Sequence, residues 1–173
     1  TALGRPDFAI MNAFGTDASA LGNHEFDLGS PVLSGAFFPS GAWGGAQFPF
    51  ITANLDFTGD SSLKGRADTT LGGTGGAIAG SETTAIKAKI APYAVQTISG
   101  QKVGIVGATT WELLSKSSPN GTVPKDDANA ATSDLQEVAA YLQGAITALQ
   151  GLGVNKIILV DQLDTLQRNK DLA

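Results

Sequence analysis

The sequence of 173 residues contains no cysteine and a single histidine, His24. Without cysteine the chain can form no disulfide, no cysteine-bound zinc site and no cysteine nucleophile. With one imidazole it cannot build, from its own residues, a site that needs several histidines, such as a three-histidine zinc site. These two absences exclude thiol chemistry and multi-histidine metal sites within one chain.

The chain also has little charge and no long apolar run. Charged residues make up 16% of it, and 11 Lys and Arg against 16 Asp and Glu give a net charge of −5. Because such a surface repels phosphate backbones, we expect no nucleic-acid polymer as a partner. No apolar run approaches the roughly 18 residues of a membrane-spanning helix, so we expect no membrane span. The absence of cysteine, the low charge and 22 glycines suit a secreted or periplasmic bacterial protein.

The hydrophobic periodicity alternates between helical and strand patterns along the chain. Helices are predicted over residues 6–14, 30–37 and 133–151, the last one opened by a capping box at 133–136. Strands are predicted over residues 18–21, 48–57, 93–98, 102–108 and 156–160, with 93–108 forming a hairpin. This order predicts the α/β class, with mixed β-sheet layers flanked by helices.

Two segments lack such a pattern. Residues 59–80 are rich in Gly, Thr and Ser and include two Gly-Gly pairs, which favours a long, mobile loop or an insertion. Residues 115–132 are predicted to form a polar loop. Since the composition on the far side of 59–80 does not change, we expect a single domain over 1–173 that contains a Gly-rich insertion.

Four residues that carry chemistry follow the first predicted strand: Gly22, Asn23, His24 and Glu25. The Asn23 side chain offers a neutral carbonyl oxygen that suits a hard or borderline metal ion. His24 can donate a hydrogen bond or a proton to a phosphoryl oxygen, and Gly22 lets the backbone turn close to an anion. The alternative interpretation is that His24 caps a turn and Glu25 is solvated.

Residues 17–29, with the sequence DASALGNHEFDLG, resemble the calcineurin-like metallophosphoesterases, in their 5'-nucleotidase and bacterial alkaline phosphatase branch. Further segments are similar to that family in the family's order, namely FPFITANLDF at 48–57, IAPYAVQTISGQKVGIVGATT at 90–110 and GVNKIILV at 153–160. The resemblance covers almost the whole chain and is interrupted by the Gly-rich stretch and by 115–132. It implies an αββα sandwich that is incomplete at both ends, so that residues 1–173 form a partial catalytic domain.

The resemblance also implies a site and a reaction. In that family two divalent metal ions, of Zn, Mn, Fe or Ca type, hold a water that attacks the phosphorus of a phosphate ester. By this similarity Asn23 is expected to be a metal ligand and His24 a transition-state stabiliser or general acid. Glu25, Asp27 and Gly22 are expected to shape the loop. The expected substrate is a small phosphate ester or a nucleotide.

The sequence departs from the family pattern in several places. The family's Asp-x-His and Gly-Asp-x-x-Asp motifs and its Gly-His-x-His region are absent, and Gln162 stands where the family has a metal-ligand histidine. An amide oxygen is a poorer ligand than imidazole for such metals. Asp161 is a poor substitute because neighbouring side chains of a strand point to opposite faces, and both residues are interpreted as a solvated strand end. We therefore expect the chain by itself to bind metals weakly and to hydrolyse phosphate esters little or not at all.

Two functions remain open from the sequence. The first is metal-dependent hydrolysis of phosphate esters, with this chain as a fragment of the enzyme. The alternative is a non-catalytic, truncated paralogue that acts as a binding or structural module, which Gln162 and the missing motifs favour. Loss of the family's first strands would expose an apolar sheet edge, so we expect a homo-oligomer or a complex with a complementary fragment.

Overall fold

A computed structural model describes residues 3–125, 134–163, 165 and 170–171 of the chain. Its helices are α1 (Arg5–Ala13), α2 (Ser30–Phe37), α3 (Leu113–Lys116) and α4 (Asp134–Gly151). Its strands are β1 (Ser19–Ala20), β2 (Phe50–Ile51), β3 (Leu55–Asp56), β4 (Ile90–Ala91), β5 (Tyr93–Ile98), β6 (Gln101–Thr109), β7 (Val123–Pro124) and β8 (Ile157–Gln162). Short 3-10 helices lie at His24–Phe26, Thr69–Leu71 and Thr83–Ala85.

The strands form two three-stranded sheets and one two-stranded ribbon in the described part of the chain. The first sheet has the order β1-β2-β4 with all strands parallel. The second has the order β5-β6-β8, in which β5 and β6 form the predicted hairpin and β8 runs parallel to β6. Strands β3 and β7 pair antiparallel. The predicted mixed α/β class is therefore confirmed.

The two three-stranded sheets meet at β2 and β6, close to the end of β1. The backbone N–H of Ala53 donates to the carbonyl of Gly107 over 2.8 Å. A Cβ atom at Gly107 would overlap the carbonyl oxygen of Ile51, so only glycine permits this approach. The hydroxyl of Thr109 donates to the carbonyl of Leu21 at the end of β1. These contacts fix the first sheet against the second.

Each sheet carries its own apolar layer. Helices α1 and α2 pack on the first sheet through a group of phenylalanines in which the rings of Phe37 and Phe50 are 4.5 Å apart. Helix α4 packs on the second sheet, and its inward side chains are Val138, Leu142, Ala145 and Leu149. These residues recur at helical spacing, which is why the sequence predicted this helix correctly.

The predicted strand over 48–57 is interrupted. Its residues form β2 and β3, separated by a turn that contains Thr52 and Asn54, both buried. The Asn54 side chain takes the place of a neighbouring strand: its Oδ1 accepts from the backbone N–H of Thr109 over 2.9 Å and its Nδ2 donates to the carbonyl of Thr109 over 2.7 Å. A side chain that satisfies backbone groups in this way diverts the chain from the sheet ladder.

The Gly-rich segment 59–80 is anchored rather than loosely attached. Asp60 and Asp68 are 1% and 0% exposed. Asp68 accepts hydrogen bonds from the backbone N–H groups of Thr70, Ile78 and Ala79, which bind both ends of the glycine run to one carboxylate. The segment is therefore tied to the fold by these carboxylates, whereas its mobility and its interpretation as an insertion in a single domain stay predictions.

The region predicted as a polar loop over 115–132 contains regular structure in its described part. Helix α3 ends at Lys116, and β7 pairs with β3. Residues 126–133 lie outside the described residues, and they include Ser133 of the predicted capping box. Among the described helices, none is long and apolar enough to cross a membrane.

The carboxylate of Asp68 gives a test of this anchoring. In the wild type, backbone N–H groups donate to both carboxylate oxygens of Asp68. Asp68→Asn replaces one of these oxygens by an NH₂ group, which cannot accept a hydrogen bond. We expect the free energy of unfolding to fall by about 2 to 3 kcal/mol, because a buried donor is left without an acceptor. Urea denaturation followed by circular dichroism measures the change. Asp17→Asn, at an exposed carboxylate, is the control and should change stability by less than about 0.5 kcal/mol. An equal effect of both substitutions would contradict the anchoring role.

Candidate active site

The loop that carries Asn23 and His24 starts directly after β1 and is fixed at both ends. Leu21 before it and Phe26 after it are each 0% exposed. Residues His24–Phe26 form one turn of 3-10 helix, so the loop rises from the core and returns to it within a few residues. This short excursion keeps Asn23 buried and leaves His24 at the surface.

Asn23 has the features of a ligand group. The residue is 4% exposed, and its Oδ1 is buried without a hydrogen-bond partner in the described part of the chain. A buried carbonyl oxygen left unpaired costs about 1 to 3 kcal/mol, which a bound cation or donor would offset. The backbone N–H of Asn23 donates to Oε1 of Gln162 over 3.1 Å, which fixes the backbone that carries this amide.

His24 forms a pair with Asp27. Its Nδ1 lies 2.8 Å from Oδ2 of Asp27, and the two side chains are 79% and 48% exposed. The hydrogen bond with His24, followed by one with Ser117, lowers the pKa of Asp27 below its usual value of 3.8. Since Asp27 is then ionised at neutral pH and its oxygens can only accept, Nδ1 of His24 is the donor of this bond.

Glu25 closes the first turn of the loop. Its Oε2 accepts from the backbone N–H of Gly22 over 2.8 Å. A Cβ atom at Gly22 would lie 2.9 Å from that same oxygen and 3.2 Å from Cγ of Gln162, so the contact depends on glycine. Burial raises the pKa of Glu25 above 4.5, and the hydrogen bond from Gly22 offsets part of this rise. The expected loop-shaping role of both residues agrees with these contacts and stays a prediction.

The end of β8 contributes differently from the sequence-based interpretation. Strand β8 extends through Gln162, and Asp161 and Gln162 are both half-buried rather than a solvated strand end. Gln162 lies against the loop through its bond to Asn23. Asp161 pairs with Ala108 of β6, and its Oδ1 is buried without a hydrogen-bond partner among the described residues. Burial raises the pKa of Asp161.

Sequence reasoning missed Ser117, which lies in the segment predicted as a polar loop. Its Oγ donates to the carbonyl of Asn23 at 2.7 Å and to Oδ1 of Asp27 at 2.8 Å. The neighbouring Ser118 donates its backbone N–H to the carbonyl of Phe26 over 3.3 Å. No local pattern in the sequence indicates these contacts, because they join residues 90 or more positions apart.

The side chains of the described residues can be compared with what the two expected metal ions would need as ligands. Asn23 Oδ1 is a fitting ligand for one divalent ion. Among residues 3–125, 134–163, 165 and 170–171, however, no group of three or more His, Cys, Asp or Glu side chains could hold a metal ion. The described residues therefore do not by themselves fit a two-metal centre.

The raised pKa of Glu25 gives a pH-dependent prediction. An acid whose pKa rises on folding binds its proton more tightly in the folded state, so its ionisation favours unfolding. We expect the free energy of unfolding of the wild type, relative to the Glu25→Gln variant, to fall as the pH rises from 4.5 through the folded-state pKa of Glu25 and then to level off. Paired urea titrations of both proteins across this range measure the difference. A difference that stays constant or grows with pH would contradict the assignment.

Comparisons with known proteins show that the chain is similar to part of several longer phosphoesterases. No model of a protein family matches the chain. The chain is 30% identical to the trifunctional nucleotide phosphoesterase protein YfkN of Bacillus subtilis over 98% of its own length and 11% of that protein. It is 32% identical to the 5'-nucleotidase of Bos taurus over 86% of the chain and 20% of that protein.

The fold of the chain is also similar to that of solved nucleotidase structures. The 5'-nucleotidase precursor of Thermus thermophilus matches with a TM-score of 0.69 and 29% identity, over 100% of this chain and 26% of that one. The NAD nucleotidase of Haemophilus influenzae matches with a TM-score of 0.64 and 25% identity, over 99% of this chain and 26% of that one. The chain thus spans between 11% and 26% of the length of these relatives. The resemblance of the chain to 5'-nucleotidases and related phosphoesterases, which its sequence predicted, is therefore confirmed in sequence and in fold.

Proposed function

We propose that this chain supplies the Asn-His loop of a hydrolase that cleaves phosphate esters with the help of metal ions, as a phosphomonoesterase of the 5'-nucleotidase or alkaline phosphatase kind. The observation that carries the proposal is the juxtaposition of two groups in adjacent residues. The exposed imidazole of His24 is hydrogen-bonded to the carboxylate of Asp27. The adjacent Asn23 has a buried amide oxygen without a partner among the described residues.

His24 is the proposed proton donor and transition-state stabiliser. Asp27 fixes the proton on Nδ1, which leaves Nε2 to carry the proton that is given up. A protonated imidazole can stabilise the charge that develops on a phosphoryl oxygen, or it can transfer its proton to the leaving alkoxide. Its high exposure allows a substrate phosphate to reach it from solvent.

Asn23 is the proposed metal ligand of this chain. Two divalent ions, of Zn, Mn, Fe or Ca type, would supply an activated water and charge stabilisation in the complete enzyme. Since the described residues contain no group of three or more His, Cys, Asp or Glu side chains that could hold a metal ion, further ligands would come from residues outside them. Gln162 accepts the backbone hydrogen bond of Asn23, which favours a role in positioning Asn23 over a metal contact.

The proposed substrate is a nucleotide or another small phosphate ester. The support is that its relatives include a nucleotide phosphoesterase and several 5'-nucleotidases. A secreted or periplasmic location is proposed on the absence of cysteine and on the precursor form named for the Thermus thermophilus relative. The net charge of −5 favours a small ligand over a nucleic-acid polymer.

A complementary polypeptide segment is the proposed partner of this chain. Strand β1 is one of the two outer strands of its sheet in the described part of the chain. A cavity of about 530 Å³ opens beside it, lined by Phe8, Met11, Leu33 and Phe50 and bordered by His24. An apolar cavity next to an outer strand favours association, either with such a segment or with a second copy of the chain.

The second candidate function is a non-catalytic binding or structural module. It is favoured by Gln162, whose oxygen accepts a backbone hydrogen bond at a position where the family has a metal-ligand histidine. It is also favoured by the small donor set of the described residues. The two candidates differ in one measurable property, which is hydrolysis once the flanking parts of a relative are supplied.

A chimera tests the proposed activity. Replacement of the matched segment of the Thermus thermophilus 5'-nucleotidase by this chain is expected to give an enzyme that hydrolyses AMP in the presence of Mn²⁺, because the two folds agree over the whole chain. In this chimera His24→Asn should lower kcat by about 100-fold or more, the usual contribution of a general acid. Ser115→Ala is the matched control, since Ser115 is exposed and its hydroxyl donates to the carbonyl of Glu112, away from the loop.

The outcomes of the chimera experiment separate the two functions. An active chimera whose kcat is unaffected by His24→Asn would contradict the role of His24. A folded chimera without activity that becomes active on Gln162→His would instead support the non-catalytic module. Activity retained in Ser115→Ala and lost in His24→Asn would support the hydrolase.

The chain alone is expected to hydrolyse AMP and p-nitrophenyl phosphate little or not at all. The physical reason is that such ions need several protein ligands, whereas the described residues contain no group of three or more His, Cys, Asp or Glu side chains that could hold one. Steady-state assays with Mn²⁺, Zn²⁺ and Ca²⁺ measure activity, and calorimetric titration of the same ions measures binding. Efficient hydrolysis that requires a metal and is lost in Asn23→Ala would overturn this prediction.

A further inference from the structure

The hydroxyl of Ser117 lies where it can control the only imidazole of the chain. Ser117 follows α3 and is half-buried. Its Oγ is 2.7 Å from the carbonyl oxygen of Asn23 and 2.8 Å from Oδ1 of Asp27. These two acceptors lie on either side of His24: Asn23 precedes it in the chain, and Asp27 is bonded to its ring.

Both neighbours of Ser117 are acceptors at the contacting atom, so the hydroxyl must be the donor. A serine hydroxyl has one proton, which is therefore shared between the carbonyl and the carboxylate. The bond to the ionised Asp27 is the stronger of the two, because a charged acceptor strengthens a hydrogen bond. Ser117 thus holds the carboxylate oxygen that His24 does not use.

A hydrogen bond between an exposed histidine and an exposed aspartate is weak when no third group fixes either side chain. The His24 and Asp27 side chains are 79% and 48% exposed, and solvent competes for both. Ion pairs of this kind contribute little to order because two mobile side chains must share one geometry. A third group that fixes one oxygen of Asp27 removes part of that freedom, and it does so from an element outside the loop.

We propose that Ser117 is a positioning residue for His24. It holds Asp27 so that Oδ2 keeps the proton of the imidazole on Nδ1 and sets the orientation of the ring. The relevance of this arrangement to a reaction rests on the proposed function, but the arrangement itself does not. The link joins the α3 segment to the loop after β1, across 90 residues of sequence.

The backbone around Ser117 is held without the hydroxyl. The N–H of Ser117 donates to the carbonyl of Leu113 over 3.0 Å, and the N–H of Ser118 donates to the carbonyl of Phe26 over 3.3 Å. Leu113 is 0% exposed and anchors α3 in the core. Removal of the hydroxyl therefore leaves the segment in place, and an effect on His24 can be separated from an effect on folding.

The test uses the fact that the chain has one histidine. Long-range ¹H–¹⁵N NMR spectra then contain a single imidazole, whose two nitrogen shifts give the ratio of the Nδ1–H to the Nε2–H tautomer at a pH where the ring is neutral. In the full chain this ratio should favour Nδ1–H. Ser117→Ala is expected to lower the ratio by about fivefold, because an untethered Asp27 no longer holds the hydrogen bond from Nδ1, whose loss corresponds to about that factor.

Three further variants complete the test. Ser115→Ala removes a hydroxyl two residues away that donates to the carbonyl of Glu112, and it should leave the ratio unchanged. Asp27→Asn removes the carboxylate and gives the ratio of the broken pair. Ser117→Cys keeps the shape of serine with a weaker donor and should give a ratio between those of the wild type and Ser117→Ala, which provides a measurement if the alanine variant does not fold.

A ratio within twofold of the wild type in a folded Ser117→Ala variant would overturn the proposal, as would an equal decrease in Ser115→Ala. If only the cysteine variant folds, an unchanged ratio in Ser117→Cys would overturn it in the same way. A fivefold decrease in Ser117→Ala and Asp27→Asn, absent from Ser115→Ala, would support it. Because the NMR measurement requires no substrate and no turnover, failure of the chimera to hydrolyse AMP would count against the proposed function alone.

Discussion

A buried hydrogen-bond network of Thr52, Asn54 and Thr109 fixes the position of the loop that follows β1. Thr109 is 0% exposed, and its hydroxyl bonds to the carbonyl of Leu21 while its backbone groups bond to the amide of Asn54. The hydroxyl of Thr52 lies 2.8 Å from that of Thr109 and completes the network. Because buried polar groups are costly when unpaired, these residues have one low-energy arrangement. The position of Gly22, one residue after Leu21, follows from that arrangement.

The site lies where the ends of parallel strands come together, which is the usual place for a site in an α/β protein. The loop leaves the end of β1, Thr109 ends β6, and Gln162 ends β8. The α3 segment follows β6 and brings Ser117 back over the loop. Asn23 is thereby held from β8 and from the α3 segment, which explains how a loop of a few residues keeps a fixed shape with so much of His24 exposed.

Much of the fold could be predicted from the sequence because it depends on local patterns. Periodicity indicates the hairpin and α4, and the residue types from Gly22 to Glu25 identify the loop. The break between β2 and β3 could not be predicted, because it depends on Asn54 meeting Thr109, 55 residues away. The role of Asp68 in the Gly-rich segment was missed because its contacts, too, form only on folding. Within the site, the residue types of the loop were predictable, whereas the contacts of Ser117 and Gln162 exist only in the folded chain.

The close contact of Gly107 with Ile51 has a consequence for how the site can adapt. The two sheets touch there with backbone against backbone, so they cannot slide past each other without losing the Ala53 to Gly107 hydrogen bond. The ends of β1 and β8 therefore belong to one rigid block. A hinge between the two sheets is therefore not available for the accommodation of ligands of different size.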